Sequence, residues 1–386
     1  MANKKWYLSK VIVIFSLLLA ITACGSSALK KPEPKASVPE EKKSEKTKEV
    51  GEWDEIVAAA KKEGKLVMSG DPSEVWRKSL VDLFQQDYPE IKVEYTGANG
   101  RDFWPKVRKE RELGQNLWDV RAGGVELQGY QAKNDGFLDP IRPVLLPEIA
   151  DDSKWIGGLN GMFHDKEKKF MPSYTVYLSP TVFVNRDFIP ESELTSSEQL
   201  LDPKFKNKIV MQTPTGGASF SSLGNLGFMY GEKFVHDLLS TQKVVVTDDK
   251  RQQAEWVVRG KYPIAIGFND TQLVPFVSQG LGKNVTTLED KITPAASGLG
   301  GLFLIKDAPH PNAAKLYINW LLSKETQIKV TKNVLLNSRR TDVPPVVKDL
   351  AIDPANLSKY RFYSTEENVE ISERLLPVIK DAMRQK

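Results

Sequence analysis

The sequence predicts an α/β fold of two units, each a mostly parallel sheet flanked by helices. Three observations carry this expectation. Helical and strand periodicities alternate from Trp53 onward. The strands are separated by helical stretches of about 10–15 residues, the spacing of βαβ units. The alternation also runs twice, over about 53–175 and 185–298, with a tail that continues past the second run.

The elements follow in order. Trp53, Ile56, Val57 and Ala60 make a helical stripe that Gly64 ends, and Lys65–Ser69 is a short buried strand. Val75, Trp76, Leu80, Leu83 and Phe84 form a second helix, stopped at Tyr88-Pro89. Ile91, Val93 and Tyr95 alternate as a strand, a helix covers roughly 102–113, and Trp118–Val120 is a further strand. Residues 121–172 read as loops and short helices. Tyr174–Asn185 reads as one long strand; Ile209–Met211, Lys243–Thr247, Pro263–Gly267 and Leu299–Ile305 are shorter ones. Pro311 opens a helix whose apolar face carries Ala314, Tyr317, Ile318 and Leu321. No internal repeat is present.

The start of the chain has a different character. Lys4, Lys5 and Lys10 precede an apolar run from Val11 to Ile21, broken only by Ser16. A positive segment, a short apolar core and a small residue before the cut describe a secretory signal, and the run falls short of the roughly 20 residues that span a bilayer. Ile21-Thr22-Ala23-Cys24 resembles the lipobox of bacterial lipoproteins, which implies cleavage before Cys24 and lipidation of its thiol. Residues 24–50, rich in Lys, Glu, Pro and Ser, are expected to be a disordered tether. Cys24 is the only cysteine, so the folded part has neither disulfides nor a thiolate metal site. Without Lys4, Lys5 and Lys10 the formal charge of +4 falls to +1, which is no footprint for nucleic acid.

Ligands of such sheets meet the loops that leave the strand C-termini. Four loops there carry glycine, small polar groups and free N–H donors at a helix start, the ingredients of an anion site. They are Ser69-Gly-Asp71-Pro-Ser73, Gly97-Ala-Asn99-Gly-Arg101, Ala122-Gly123-Gly124 and Thr213-Pro-Thr215-Gly216-Gly217-Ala-Ser219. Arg101 offers a bidentate clamp for a carboxylate or phosphate. Asp71 and Asp270, with Asn269 beside it, suit hydroxyls or an amine on the same ligand. His164, His236 and His310 are far apart, and His164 reads as solvated among lysines. Gly217-Ala-Ser219-Phe-Ser221 is not a nucleophile elbow, and no nucleotide-binding motif occurs. No catalytic residue and no cofactor are expected.

The stretches "LVMSGDPSE", "FQQDYPEIKVEYTGANG", "LWDVRAGG", "YLSPTVFVNRDFIP" and "SGLGGLFLIKDAPHPNAAKLYINWLLSKETQ" resemble the solute-binding proteins of bacterial ABC importers. They look closest to the type II periplasmic-binding group that includes the ferric-iron binders. The resemblance covers essentially 53–386. It implies two lobes, about 51–178 with 303–340 and 183–298 with 345–386, closing by hinge motion on a ligand in the cleft between them. The crossing strands would fall near Thr175–Asn185, Leu299–Ile305 and Asn337–Pro345, which brings Tyr177 and Arg339 into question as ligand contacts. Where ferric-iron binders carry a tyrosine pair, this chain has about Asp270 and Thr271, so no metal site is expected and iron stays a secondary ligand. The primary expectation is an organic anion such as a phosphate ester, phosphonate or carboxylate. Polyamine-like or thiamine-like cations remain open, as does a lipid-anchored enzyme or surface-interaction protein on the same fold. The implied partner is an ABC permease. The implied setting is extracytoplasmic, with a monomer held at the membrane through Cys24, in a periplasm or on the outer face of the cytoplasmic membrane.

Overall fold

Lobe 1 begins with the segments whose periodicity is strongest. The computed structural model describes residues 40–268 and 272–385; Cys24, Asn269 and Asp270, with the expected signal and most of the tether, lie outside these. In chain order come α1 (Glu40–Glu63), β1 (Lys65–Gly70), α2 (Glu74–Arg77), α3 (Leu83–Asp87), β2 (Lys92–Gly97), α4 (Gly100–Glu112), β3 (Val120–Gly123), α5 (Leu127–Asn134), β4 (Leu138–Asp139), α6 (Pro147–Ala150) and α7 (Gly158–Met162). The helix α1 starts inside the segment read as a disordered tether. Pro39 precedes it, and its Lys- and Glu-rich first turns are good helix formers, a property that outweighs their lack of apolar surface. Gly64 stops it with φ at +64°.

The chain then crosses through β5 (Thr175–Leu178) and β6 (Val182–Asn185) and builds lobe 2 from β7 (Ile209–Met211), α8 (Gly217–Tyr230), α9 (Glu232–Thr241), β8 (Val245–Val246), α10 (Lys250–Val258), β9 (Ile264–Ile266), α11 (Val274–Val277) and β10 (Val285–Thr287). It returns through β11 (Thr293–Ala296) and β12 (Gly301–Ile305), adds α12 (Pro311–Leu322) and α13 (Lys324–Val334), and crosses again by β13 (Asn337–Ser338) and β14 (Tyr360–Phe362) into α14 (Glu366–Arg384). The expected single strand over 174–185 is two strands. Pro180 lies between them and has no N–H for a ladder.

Three sheets result: β2-β1-β3-β12-β4 in lobe 1, β10-β6-β9-β7-β8 in lobe 2, and β13-β5-β11-β14 between them. The ladders β1–β2, β1–β3, β7–β8 and β7–β9 are parallel, as βαβ units require. Strands arriving from the other lobe run against them: β12 is antiparallel to β3 and β4, and β6 to β9 and β10. Each five-stranded sheet therefore keeps four strands in one direction and one strand against them, mostly parallel as the βαβ pattern predicts.

Each lobe has its own core. Leu66, Met68, Val120, Leu302 and Leu304 face α12 through Leu316 and Tyr317 in lobe 1. Val182, Val184, Ile264 and Ile266 face α8 and α9 through Leu223, Leu226, Val235 and Leu239 in lobe 2. Each fully buried Leu, Val or Phe contributes roughly 1.5–3 kcal/mol, so these faces hold the strand ends in place. Both lobes lie within Val50–Lys386, one contiguous unit of the chain.

Candidate functional site

The lobe 1 wall is the C-terminal edge of β1, β2 and β3. Ser69 pairs with Thr96 on one side and Arg121 on the other, so their following loops leave at one level. Ser69 and Arg121 are neighbours on the same face of the sheet. The Arg121 guanidinium donates from Nη1 to Ser69 Oγ at 2.8 Å and to the Ala98 carbonyl at 3.1 Å, and lies 4.8 Å from the Phe103 ring. It is 1% exposed, and its Nε has no partner among the described residues. Burial draws its pKa down to about 10 against the pull of Glu126. A positive charge is thus fixed beneath the turn that opens α4.

Around it, Tyr95 donates its hydroxyl to the Asp71 carbonyl at 2.5 Å, and Asp71 Oδ1 accepts the Ser73 N–H at 2.9 Å. Asn99 and Arg101 are exposed at the start of α4, and Asn99 makes no side-chain cap bond. Gly123 and Gly124 are buried. Glu126 follows them, half-buried; burial raises its pKa while Arg121 and Arg101 lower it.

The lobe 2 wall is the start of α8. Gly216 caps the helix and Gly217 opens it at φ +58°, with open space beside both Cα atoms. The first N–H groups of a helix lack intrahelical acceptors and carry the positive dipole end. Ser219, on this first turn, is fully buried, and its hydroxyl has no partner among the described residues. Gly267, at the end of β9 with φ +66°, lies against it: a Cβ there would stand 2.5 Å from Ser219 Cα and N. Thr215 is exposed, and Thr213 is tied down by its hydroxyl and N–H to Asp248 Oδ1 at 2.6 and 3.1 Å.

A line of contacts joins the two walls. A Cβ on Gly301 would lie 2.6 Å from the Gly123 carbonyl oxygen, and one on Gly298 would lie 3.1 Å from the Tyr177 ring. Tyr363 feels burial and Tyr177, both of which raise its pKa, and its phenol bonds Ser179 and Ser221 of α8. Tyr177 is itself half-buried and raised by burial.

Arg339 is elsewhere. It follows β13, 2% exposed, with Nη1 donating to Ser173 Oγ at 2.9 Å and lying 3.3 Å from His164 Nε2, under the Phe362 ring. Burial lowers its pKa to about 9. His164, expected to be solvated, is buried: Ser173 meets its Nε2 at 2.8 Å, and burial and then Arg339 hold its pKa well below 6.5. The lysines that suggested solvent flank it in sequence, but Ser173 and the distant Arg339 cover its ring. Arg340 is committed to Asp342 and Glu148.

The structure therefore brings Ser69, Asp71, Asn99, Arg101, Gly123 and Gly124 to one edge, and Thr215, Gly216, Gly217 and Ser219 to another, with Tyr177 between. Arg339 lies at neither edge; it follows β13 and packs on Ser173, His164 and Phe362. Sequence reasoning missed Arg121, Glu126 and Tyr363. A charged residue on the short strand, directly after Asp119-Val120, was the available signal for Arg121; Tyr363 had none, because only the third crossing brings it near α8. Among the described residues no three of His, Cys, Asp and Glu converge as a metal-holding group, and no helix is long and apolar enough to cross a membrane.

The family model for bacterial extracellular solute-binding proteins matches residues 69–328. An uncharacterized Haemophilus influenzae protein is 21% identical over 337 residues, 84% of this chain and 93% of that one. Among solved structures, an ABC transporter protein from Clostridium perfringens has a TM-score of 0.65 at 16% identity, covering 82% of this chain and 99% of its own. A Trichodesmium protein in complex with iron and citrate has a TM-score of 0.62 at 16% identity, covering 83% and 99%. At such identities the structural likenesses carry the two-lobed type II fold and nothing about the ligand.

Proposed function

This chain belongs to the bacterial extracellular solute-binding protein family, the receptors that serve ABC importers outside the cytoplasm, and we propose that its cleft captures a small organic anion. A phosphate ester, phosphonate or carboxylate would place its charged end at the start of α8, with the Ser69–Arg121 wall closing over it. The observation that carries this reading is Ser219. A buried hydroxyl without a partner costs about 1–3 kcal/mol, and it lies on a helix turn whose N–H groups are free to bind an anion. Arg121 supports it from lobe 1, since no ion pair neutralises its buried charge among the described residues. Closure of lobe 1 (51–178 with about 303–340) on lobe 2 (183–298 with about 345–386) would bring the walls together.

The test is thermal unfolding of the full chain against phosphate esters, phosphonates, dicarboxylates, polyamines, thiamine, and ferric iron with and without bicarbonate. A ligand that binds only the folded state stabilises by about 2.7 kcal/mol at a hundredfold excess over Kd. A shift with one anionic class that weakens in Ser219→Ala supports the reading. A shift with ferric iron alone would overturn it, and would point to the cargo held by the Trichodesmium relative.

The receptor would be a lipid-anchored monomer, for which the sequence at Cys24 is the support. Cys24→Ser should abolish incorporation of labelled fatty acid and release the chain from membranes. Unchanged membrane retention in that variant would sink the anchor.

A further inference from the structure

The anion reading leaves one charged group of the lobe 1 wall without a task. Glu126 is the N-cap of α5, yet its carboxylate makes no cap bond. It lies against the backbone of two loops instead: a Cβ on Gly100 would stand 2.8 Å from Oε2, and one on Gly124 would stand 2.8 Å from Oε1. The absence of side chains at these two positions makes the space the carboxylate occupies. Among the described residues it forms no hydrogen bond and no ion pair.

The nearby cations do not satisfy it. Arg121 attracts it, but Nη1 is committed to Ser69 and Ala98, and the guanidinium carbon lies 4.8 Å from the Phe103 ring centre. Arg101 attracts it from an exposed position. A half-buried carboxylate with no donor is expensive to keep. This one lies two residues past Gly124, and Val125 between them packs against Gly301 at the second crossing.

We propose that Glu126 receives a cationic group of the solute, so that the ligand is a zwitterion: an amine-bearing phosphate ester, phosphonate or carboxylate, with its anion at the start of α8 and its ammonium on Glu126. The inference rests on the anion reading and adds the second charge. Arg121 then has two tasks. It supports the wall beneath α4, and its charge opposes the effect of burial on Glu126 and so favours the carboxylate that would meet a cation.

The experiment is isothermal titration of the full chain with two matched pairs, phosphoethanolamine against ethyl phosphate and β-alanine against propionate. Expected is a preference of about tenfold or more for the aminated member of at least one pair. Glu126→Gln should collapse that preference while leaving the affinity for the simple anion in place, which also serves as the control for folding. If Glu126→Gln does not fold, Glu126→Asp, which withdraws the charge by one methylene, must reduce the preference. Equal affinity within each pair, or a preference that Glu126→Gln leaves intact, overturns the inference and leaves the anion reading standing. Binding of neither member of either pair at millimolar concentration overturns both.

Discussion

Glycine builds both walls of the cleft, but against different things. In lobe 2, Gly267 abuts the backbone of Ser219, with 2.5 Å from its absent Cβ to Cα and N. In lobe 1, Gly100 and Gly124 abut only the tip of the Glu126 carboxylate. A backbone held by glycine cannot give way, whereas a carboxylate tip can swing aside. The lobe 2 wall is therefore a fixed array of N–H groups and one hydroxyl. The lobe 1 wall has backbone-backed glycines too, at Gly70 and Gly97, but around Glu126 it rests on a side chain and is less rigid.

The largest effect should come from breaking the rigid wall. Gly267→Ala must put a side chain at φ +66° and within 2.5 Å of main-chain atoms. The left-handed conformation costs about 1–2 kcal/mol and the overpacking about as much again. We expect a loss of about 3 kcal/mol in urea unfolding and loss of ligand binding. Wild-type stability in this variant would mean that Ser219 is free to move away. Gly124→Ala, by contrast, should cost about 1 kcal/mol or less, because only Glu126 must shift. Its effect should show in the choice between aminated and simple anions.

Ser219→Ala separates binding from folding on the lobe 2 side. Its hydroxyl is buried without a partner, so removal should raise stability, by up to the roughly 1–3 kcal/mol that an unsatisfied buried hydroxyl costs. Affinity for the anion should fall about tenfold, the weight of a hydrogen bond to a charged group. A large loss of stability with unchanged affinity would make Ser219 a packing residue and remove the support for the anion site.

These contrasts explain what was legible beforehand. The loops at Ser69–Ser73, Gly97–Arg101 and Thr213–Ser219 announce themselves through glycine and turn residues next to periodic segments, which is local information. The helices and most strands follow from spacing alone. Arg121 and Glu126 were missed because glycine drew attention to Ala122–Gly124 while the charges lie on either side. Arg361 shows the deeper limit. Its guanidinium lies over Phe228 and 3.3 Å from the Asn225 side-chain oxygen and the Gly224 carbonyl of α8, and burial lowers its pKa to about 10. No local pattern could pair residue 361 with residue 225. His164 is buried rather than solvated for the same reason, since Arg339, 175 residues away in the chain, packs against it and Ser173. The break between β5 and β6 is local information too, since Pro180 cannot donate to a ladder.

The smallest expected effect concerns pH and the flexible wall. Burial raises the pKa of Glu126 above the ordinary 4.5, with Arg121 and Arg101 only partly opposing it. A carboxylate with a raised pKa in the folded state holds its proton more tightly there than in the unfolded chain. Its ionisation is then a cost to folding that is fully present above the folded pKa and vanishes below the unfolded one. Glu126→Gln should therefore raise the thermal midpoint of the ligand-free protein at neutral pH. The gain should shrink as the pH falls and disappear below about pH 4. The same variant is expected to lose the aminated ligand, so stability and selectivity move in opposite directions at one residue. A midpoint that drops at neutral pH would show instead that Glu126 acts as a favourable counter-ion to Arg121. Ligand-free Glu126 would then already be satisfied, and the lobe 1 wall would be as settled as the lobe 2 wall it is contrasted with.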